Sequence, residues 1–298
     1  MSLDLKHLST ETRNPRTMAL DTMSALEIVT AMNQQDRLVP EAISRILPAI
    51  AEAADCAAAA LGQGGRLIYM GAGTSGRLGV LDAVECPPTF GVSPDRVVGL
   101  IAGGERAFVK AVEGAEDREE LGKEDLQAIS FSPEDFLVGI AASGRTPYVL
   151  GGLRYAREVG AHTAAISCNP DSPVGKAAEI SMEVVPGPEV LTGSTRLKAG
   201  SCQKMILNMI STAAMVRTGK AYENLMVDVM QTNEKLRVRA LNMVMEATGA
   251  DRDAAAQALS QARGSAKTAI TMLLGNFSAE EAEKRLKLAG GHVREAIR

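Results

Sequence analysis

Gly71-Ala72-Gly73-Thr74-Ser75-Gly76 follows the apolar run Arg66-Leu67-Ile68-Tyr69-Met70 and precedes Arg77-Leu78-Gly79-Val80-Leu81-Asp82-Ala83-Val84. The first flank has strand character, and the second reads as a helix stopped by Pro87-Pro88. A strand, a glycine turn and a helix N-terminus leave backbone N–H groups aimed outward, an arrangement that suits an anion. The spacing satisfies Gly-x-Gly-x-x-Gly, so a dinucleotide site is the first reading to test. That reading requires an acidic residue closing the next strand, about 20 residues on, to hold a ribose. The next strand is Val97-Val98-Gly99-Leu100-Ile101-Ala102, with Asp95 before it and Gly103-Gly104-Glu105 after it. The acid is misplaced. Thr74 and Ser75 instead put hydroxyls beside the N–H groups of a turn ending in Gly76, which fits a terminal monophosphate. One such loop is equally a plain tight turn.

The surrounding pattern alternates strand and helix. Strands are expected at 66–71, 97–102, 136–141, 163–167 and 180–185, with a helix over 147–159. Near-continuous apolar strands joined by helical crossovers describe an α/β fold, a parallel sheet covered on both faces. Ligands of such sheets lie beyond the carboxyl ends of the strands, where neighbouring crossovers diverge. The third strand ends in Ala141-Ala142-Ser143-Gly144-Arg145-Thr146-Pro147, again placing hydroxyls, a glycine and a helix start at that edge. Two such loops on one edge are more specific than one, and they point to a shared phosphate. Arg145 either adds charge there or faces solvent.

At 298 residues the chain is long enough for one main domain and something smaller. Hydrophobic residues make up 46% and charged residues 23%, an ordinary globular balance. The net charge of −4, without a long basic block, argues against nucleic acid as a partner. No apolar run reaches roughly 18 residues, so no membrane span is expected. Met1-Ser2-Leu3-Asp4-Leu5-Lys6 lacks the apolar core of a signal peptide, which leads us to expect a cytoplasmic protein. The four cysteines are scattered without paired spacing, and only three histidines are present. Neither disulfides nor a metal site is expected, and acid–base work falls to carboxylates, lysines or tyrosines.

Residues 1–20 read as a polar arm, followed by helices over about 24–34 and 41–61 and a long helical region over about 196–246. In the tail, 255–270 recurs as 282–297: Leu259/Leu286, Ala262/Ala289, Gly264/Gly291, Lys267/Arg294, Ala269/Ala296 and Ile270/Ile297 coincide. Each copy reads as helix, glycine turn, helix, which makes about 248–298 a small all-helical appendage suited to packing or association.

Two acidic positions stand out. Glu85 closes the helix that starts at the first loop. Near a helix C-terminus, and partly buried, a carboxyl is favoured in its protonated form and suits an acid. Glu116 lies in Val112-Glu113-Gly114-Ala115-Glu116-Asp117-Arg118-Glu119-Glu120, whose plain reading is a solvated helical face. Glu113 and Glu116 stand at i, i+3, and sequence physics does not choose between them. Lys198, after Ser194-Thr195-Arg196, is either an electrostatic partner for sugar oxygens or a helix-start lysine in water.

Several segments carry a resemblance: the first loop through Leu78, Asp82-Ala83-Val84-Glu85-Cys86-Pro87-Pro88, Val112 to Asp117, and Ala141 through Tyr148. Together with Gly187-Pro188-Glu189-Val190-Leu191-Thr192-Gly193-Ser194-Thr195-Arg196-Leu197-Lys198-Ala199-Gly200, they resemble the N-acetylmuramic acid 6-phosphate etherase family. The last segment is similar to a signature shared with glucokinase regulatory proteins. The resemblance covers nearly the whole chain, without departure at the motif positions. It implies a sugar isomerase (SIS) fold: a five-stranded parallel sheet flanked by helices, with a small all-helical C-terminal appendage. The expected domains are an N-terminal arm with helices (1–54), the sugar-phosphate-binding domain (55–220), a connecting helix (221–247) and a UBA-like helical domain (248–298). The resemblance further implies an amino-sugar 6-phosphate substrate, a homodimer and no cofactor. By the same resemblance Glu85 matches the proton donor and Glu116 the second catalytic acid, and Ser75, Ser143, Gly144 and Thr146 match phosphate-cradling positions. Thr74, Gly76, Arg145, Ser194 and Lys198, in the same segments, are expected as further substrate or phosphate contacts. Two alternatives are a non-catalytic sugar-phosphate sensor and an aldose–ketose phosphate isomerase. A sensor has no need for both glutamates, and an isomerase needs no second acid for a leaving group.

Overall fold

In the computed structural model, residues 8–110, 112–230 and 234–298 are described; the segment Met1–Lys6, read above for targeting, lies outside them. The five apolar runs form strands β1 (Leu67–Gly71), β2 (Val97–Ile101), β3 (Phe136–Ile140), β4 (His162–Ser167) and β5 (Ile180–Glu183). All pair in parallel, in the order β2-β1-β3-β4-β5. Every residue of β1 and β3 is buried, as expected of strands covered on both faces.

Before the sheet come helices α1 (Ala25–Asp36), α2 (Leu38–Ser44) and α3 (Leu47–Gly62). The helix expected over 41–61 is therefore two. Pro48 has no N–H to continue the ladder back to Ser44, and it sits instead in the first turn of α3. The crossovers contain α4 (Gly73–Phe90), α5 (Arg106–Val109), α6 (Glu119–Ala128), α7 (Pro147–Glu158) and α8 (Pro173–Ala177). After β5 come α9 (Lys198–Arg217), α10 (Glu234–Thr248), α11 (Arg252–Gln261), α12 (Ala266–Gly275), α13 (Ala279–Leu288) and α14 (Val293–Ala296). The helical region expected over about 196–246 contains α9 and most of α10: α9 ends before Gly219, whose φ of +76° turns the chain away.

The chain divides into two compact units: residues 1–84 with 95–211, and residues 85–94 with 212–298. The first contains the sheet. Its core is built by Ile68, Met70, Leu126, Leu137, Tyr148, Val149 and Leu153 on one face of the sheet. The arm at its start is docked rather than loose: Thr10, Asn14 and Thr17 are buried. Asn169 accepts the N–H of Ser9 at 2.7 Å, and Asn14 donates to Pro188 O at 3.1 Å.

The second unit is helical. Its N-caps Asp251 and Ser278 lie 27 residues apart, as do Ser265 and His292, and Gly264 and Gly291 hold matching φ values of +87° and +85°. Ala255, Ala269 and Ile270 of the first copy and Ala282 and Ala296 of the second pack into one apolar cluster. Neither copy buries its apolar face alone, so stacking the two yields the core.

Candidate active site

Gly71 is in register with Ile140 on one side and Ile101 on the other, so β1 and β3 end side by side. The crossover from β1 leads to β2 and that from β3 leads to β4, in opposite directions along the sheet. The gap between β1 and β3 is the switch point where such sheets hold ligands.

The first motif is tighter than a loop. Ala72 alone separates β1 from α4, which starts at Gly73 with φ +53°. Thr74, Ser75 and Gly76 thus form the first helical turn. Only the Gly76 N–H reaches back, to Ala72 O at 3.2 Å; the N–H groups before it have no intrahelical acceptor. A Cβ on Gly76 would stand 2.6 Å from Gly71 O and 2.7 Å from Ile101 Cγ1. Glycine there lets the helix begin against the sheet, a packing role the spacing also allows.

The second motif is a true loop. Gly144 takes φ +74°, and a Cβ there would lie 2.4 Å from Ser172 Cβ. Asn169 donates to Ala142 O at 3.1 Å and Ser143 O at 3.4 Å, the Arg145 N–H donates to Ser143 Oγ at 3.3 Å, and Val174 N–H donates to Gly144 O at 3.0 Å. Thr146 precedes Pro147 at the start of α7 without spending its hydroxyl on a cap. The Arg145 side chain is exposed.

Glu116 is exposed and lies in a turn, and α6 starts only at Glu119; the helical face expected for 113–120 does not form across Gly114, whose φ is +77°. Its carbonyl accepts the Tyr148 N–H at 3.1 Å, which ties Glu116 to the first turn of α7 and so to the second loop. Helices α6 and α7 approach through glycines: a Cβ on Gly122 would stand 2.0 Å from Tyr148 O.

The start of α9 completes the neighbourhood. Ser75 Oγ donates to Gln203 Oε1 at 3.0 Å, and a Cβ on Gly200 would lie 3.6 Å from Thr74 Cγ2. Ser194 is half-buried in the turns leading to α9. Lys198, expected beside sugar or in water, is buried: its ammonium donates to Gln35 Oε1 at 3.1 Å and Pro186 O at 3.0 Å. Glu189 caps α9, accepting the N–H groups of Lys198 at 3.1 Å and Ala199 at 2.9 Å. Burial pushes the Glu189 carboxyl up, opposed by those N–H groups, and pushes the Lys198 ammonium down, opposed by Glu189. Further along, Asp82 Oδ1 accepts from Asn208 at 2.6 Å and Ser211 at 3.2 Å, joining α4 to α9, and burial raises its carboxyl.

Glu85 departs from its expected setting. The helix does not stop at Pro87-Pro88; the prolines fill its last turn, and Gly91, at φ +61°, donates its N–H to Pro87 O at 2.9 Å. Glu85 therefore lies before the final turn, and its side chain is exposed rather than partly buried. Sequence reasoning missed Asn169, Glu189 and Gln203. Asn169 and Gln203 act on segments distant in the chain that no local pattern marks, whereas Glu189 stands nine residues before the Lys198 N–H it accepts, inside the motif that carries the resemblance. Among the described residues no cluster of His, Cys, Asp and Glu is arranged to hold a metal ion, and no helix is long and apolar enough to cross a membrane.

Family models match at residues 49–157 (glucokinase regulatory protein N-terminal SIS domain) and 115–217 (SIS domain). The chain is 61% identical to the N-acetylmuramic acid 6-phosphate etherase of Pectobacterium atrosepticum, over 99% of this chain and 98% of that one. It is 60% identical to the enzyme of the same name from Serratia proteamaculans, over 99% of each. Among solved structures, a phosphoheptose isomerase from Francisella tularensis shares the fold, with a TM-score of 0.50 and 17% identity over 65% of this chain and all of that one.

Proposed function

The chain belongs to the N-acetylmuramic acid 6-phosphate etherase family, and on that premise we propose that its switch-point motifs hold the sugar phosphate while Glu116 and Glu85 move the protons. The enzyme is a carbon–oxygen lyase that separates D-lactate from N-acetylmuramic acid 6-phosphate and leaves N-acetylglucosamine 6-phosphate, a step of cell-wall amino-sugar recycling.

The observation that carries the phosphate assignment is the side-by-side exit of two hydroxyl-bearing helix starts from register-paired strand ends. Ser75 and Thr74 on one, and Ser143, Gly144 and Thr146 on the other, offer hydroxyls and N–H groups to the dianion. In the open-chain sugar the C2 hydrogen is acidified by the aldehyde. Glu116, tied by its backbone to α7, takes that proton. Glu85 gives a proton to the ether oxygen as the C3–O bond breaks, releasing lactate and leaving a C2=C3 bond conjugated with the aldehyde. Water adds its oxygen to C3 and a proton to Glu85, and Glu116 returns the proton to C2. Each carboxylate contributes on the order of 10²–10⁴-fold.

The exposure of both glutamates in the single chain favours a homodimer in which a second subunit excludes water from the chemistry. A cytoplasmic location suits a phosphorylated substrate. Glu85→Ala and Glu116→Ala should each retain sugar-phosphate binding and lose lactate release; wild-type rates in both would refute the assignment. In ¹⁸O-labelled water the label should enter the sugar, and its appearance in lactate would refute addition at C3.

A further inference from the structure

The Ser75–Gln203 pair is wired the wrong way round for an anion. Ser75 Oγ spends its one proton on Gln203 Oε1 at 3.0 Å, leaving only lone pairs for a ligand. A phosphate dianion offers acceptors alone, so a serine in that state repels it. Gln203 is fully buried in α9, and among the described residues its Nε2 has no hydrogen-bond partner. A buried amide donor without an acceptor is uncommon and costly.

Both features are removed by one motion. Rotating the Gln203 amide by half a turn exchanges two groups of nearly the same shape. Nε2 then donates to Ser75 Oγ, the orphaned donor is satisfied, and the serine proton is released toward the switch point. The carbonyl moves to the former Nε2 position, and a buried C=O tolerates under-satisfaction better than an N–H. In the same helical turn, the N–H groups that precede Gly76 have no intrahelical acceptor.

We infer that Gln203 is a positioning residue for substrate: with its amide turned, it presents N–H to Ser75 Oγ so that Ser75 donates to the phosphate. The inference rests on the reading of Ser75 as a phosphate ligand.

The test compares Gln203→Glu, Gln203→Met and Ser75→Ala in the full-length enzyme, with N-acetylmuramic acid 6-phosphate as substrate and inorganic phosphate as competitor. Circular dichroism melts establish that each variant is folded. An ionised glutamate only accepts, so it fixes the serine proton away from substrate. Gln203→Glu should raise KM by about ten- to a hundredfold, the worth of one charge-assisted hydrogen bond. Inorganic phosphate should weaken as an inhibitor in step, while kcat stays within about threefold because the chemistry lies elsewhere. Methionine has similar volume and neither donor nor acceptor, so it removes the orienting N–H without holding the serine proton away from substrate, and KM should rise by about three- to tenfold, less than in Gln203→Glu. A Gln203→Met enzyme as impaired as Gln203→Glu would overturn the inference, because Gln203 would then serve packing. So would an unchanged KM in Gln203→Glu alongside a raised KM in Ser75→Ala. An unchanged KM in Ser75→Ala would overturn the phosphate reading itself, and the inference with it.

Discussion

Replacing Gly151 with alanine should separate two helices that the proposed chemistry needs in contact. A Cβ at Gly151 in α7 would lie 1.9 Å from Glu119 O, 2.8 Å from Glu119 C and 2.9 Å from Glu119 Cγ. The obstacle is backbone in the first turn of α6, which cannot swing aside as a side chain does. On the opposite helix, Gly122 meets Tyr148 O with the same closeness, so glycine is required on both faces. Ordinary contact demands that the helices part by about 1.5 Å, and overpacking of this kind costs about 1–3 kcal/mol. Alanine in a helix interior returns up to about 1 kcal/mol, leaving a net loss of about 0–2 kcal/mol. The functional effect should be larger. Glu116 lies three residues before Glu119, and its carbonyl holds the Tyr148 N–H at 3.1 Å. A shift of about 1 Å in a catalytic group can cost about 10²-fold, so kcat should fall by about ten- to a hundredfold. Gly62, the last residue of α3, is the control, with nothing within 4 Å of a built Cβ; Gly62→Ala should match or slightly exceed wild-type stability. Urea denaturation and steady-state lactate release measure both effects. If Gly151→Ala proves as stable as Gly62→Ala and turns over at the wild-type rate, the close approach of α6 and α7 is wrong.

Asp135 accepts from Arg66 Nε at 3.0 Å, from an Arg66 terminal nitrogen at 2.7 Å and from Ser132 N–H at 2.9 Å. Burial raises its carboxyl, but the guanidinium and the N–H groups outweigh that and hold it below the usual range. Its contribution is therefore present above about pH 4 and lost as pH falls through the lowered folded value. Asp135→Asn should cost about 2–3 kcal/mol at pH 7, below the usual cost of breaking a buried pair because Arg66 is partly solvated; the loss should shrink in melts at acid pH, and a pH-independent loss would contradict the pairing. Lys198→Met should lower stability by about 1–3 kcal/mol, since it takes the ammonium donor from Pro186 O and the neighbouring positive charge from the buried Glu189 carboxylate, while Gln35 Oε1 keeps its bond from Asn14; a normal melt with a raised KM would instead make Lys198 a substrate contact. Arg263 is exposed at φ +51°, where the second copy of the repeat has Gly290 at φ +60°. Arg263→Gly should stabilise the helical unit by about 0.5–1 kcal/mol, measured by thermal melting.

Where the sequence could be read and where it could not follows from the range of the interactions involved. Hydroxyls, a glycine and a helix start lie within six residues of each other, so the two helix starts at Thr74-Ser75-Gly76 and Ser143-Gly144-Arg145-Thr146 were visible without a fold. The 27-residue repeat was visible for the same reason: cap, apolar positions and glycine recur within each copy. What holds these segments in place is long-range. Asn169 reaches 27 residues back to Ala142 O, Ser75 meets Gln203 across 128 residues, and Lys198 meets Gln35 across 163. Lys198 reads as a sugar contact or a lysine in water because nothing near it in the chain reveals the glutamine, 163 residues away, that receives its ammonium inside the fold. The prolines at 87 and 88 misled in the opposite sense: they forbid a helix that continues beyond them, yet fit one that ends within a turn, and the left-handed Gly91 decides between these. A ligand's chemistry is thus written locally and its alignment is written globally. That is why a serine can be recognised from its neighbours while the direction of its proton depends on a glutamine on another helix.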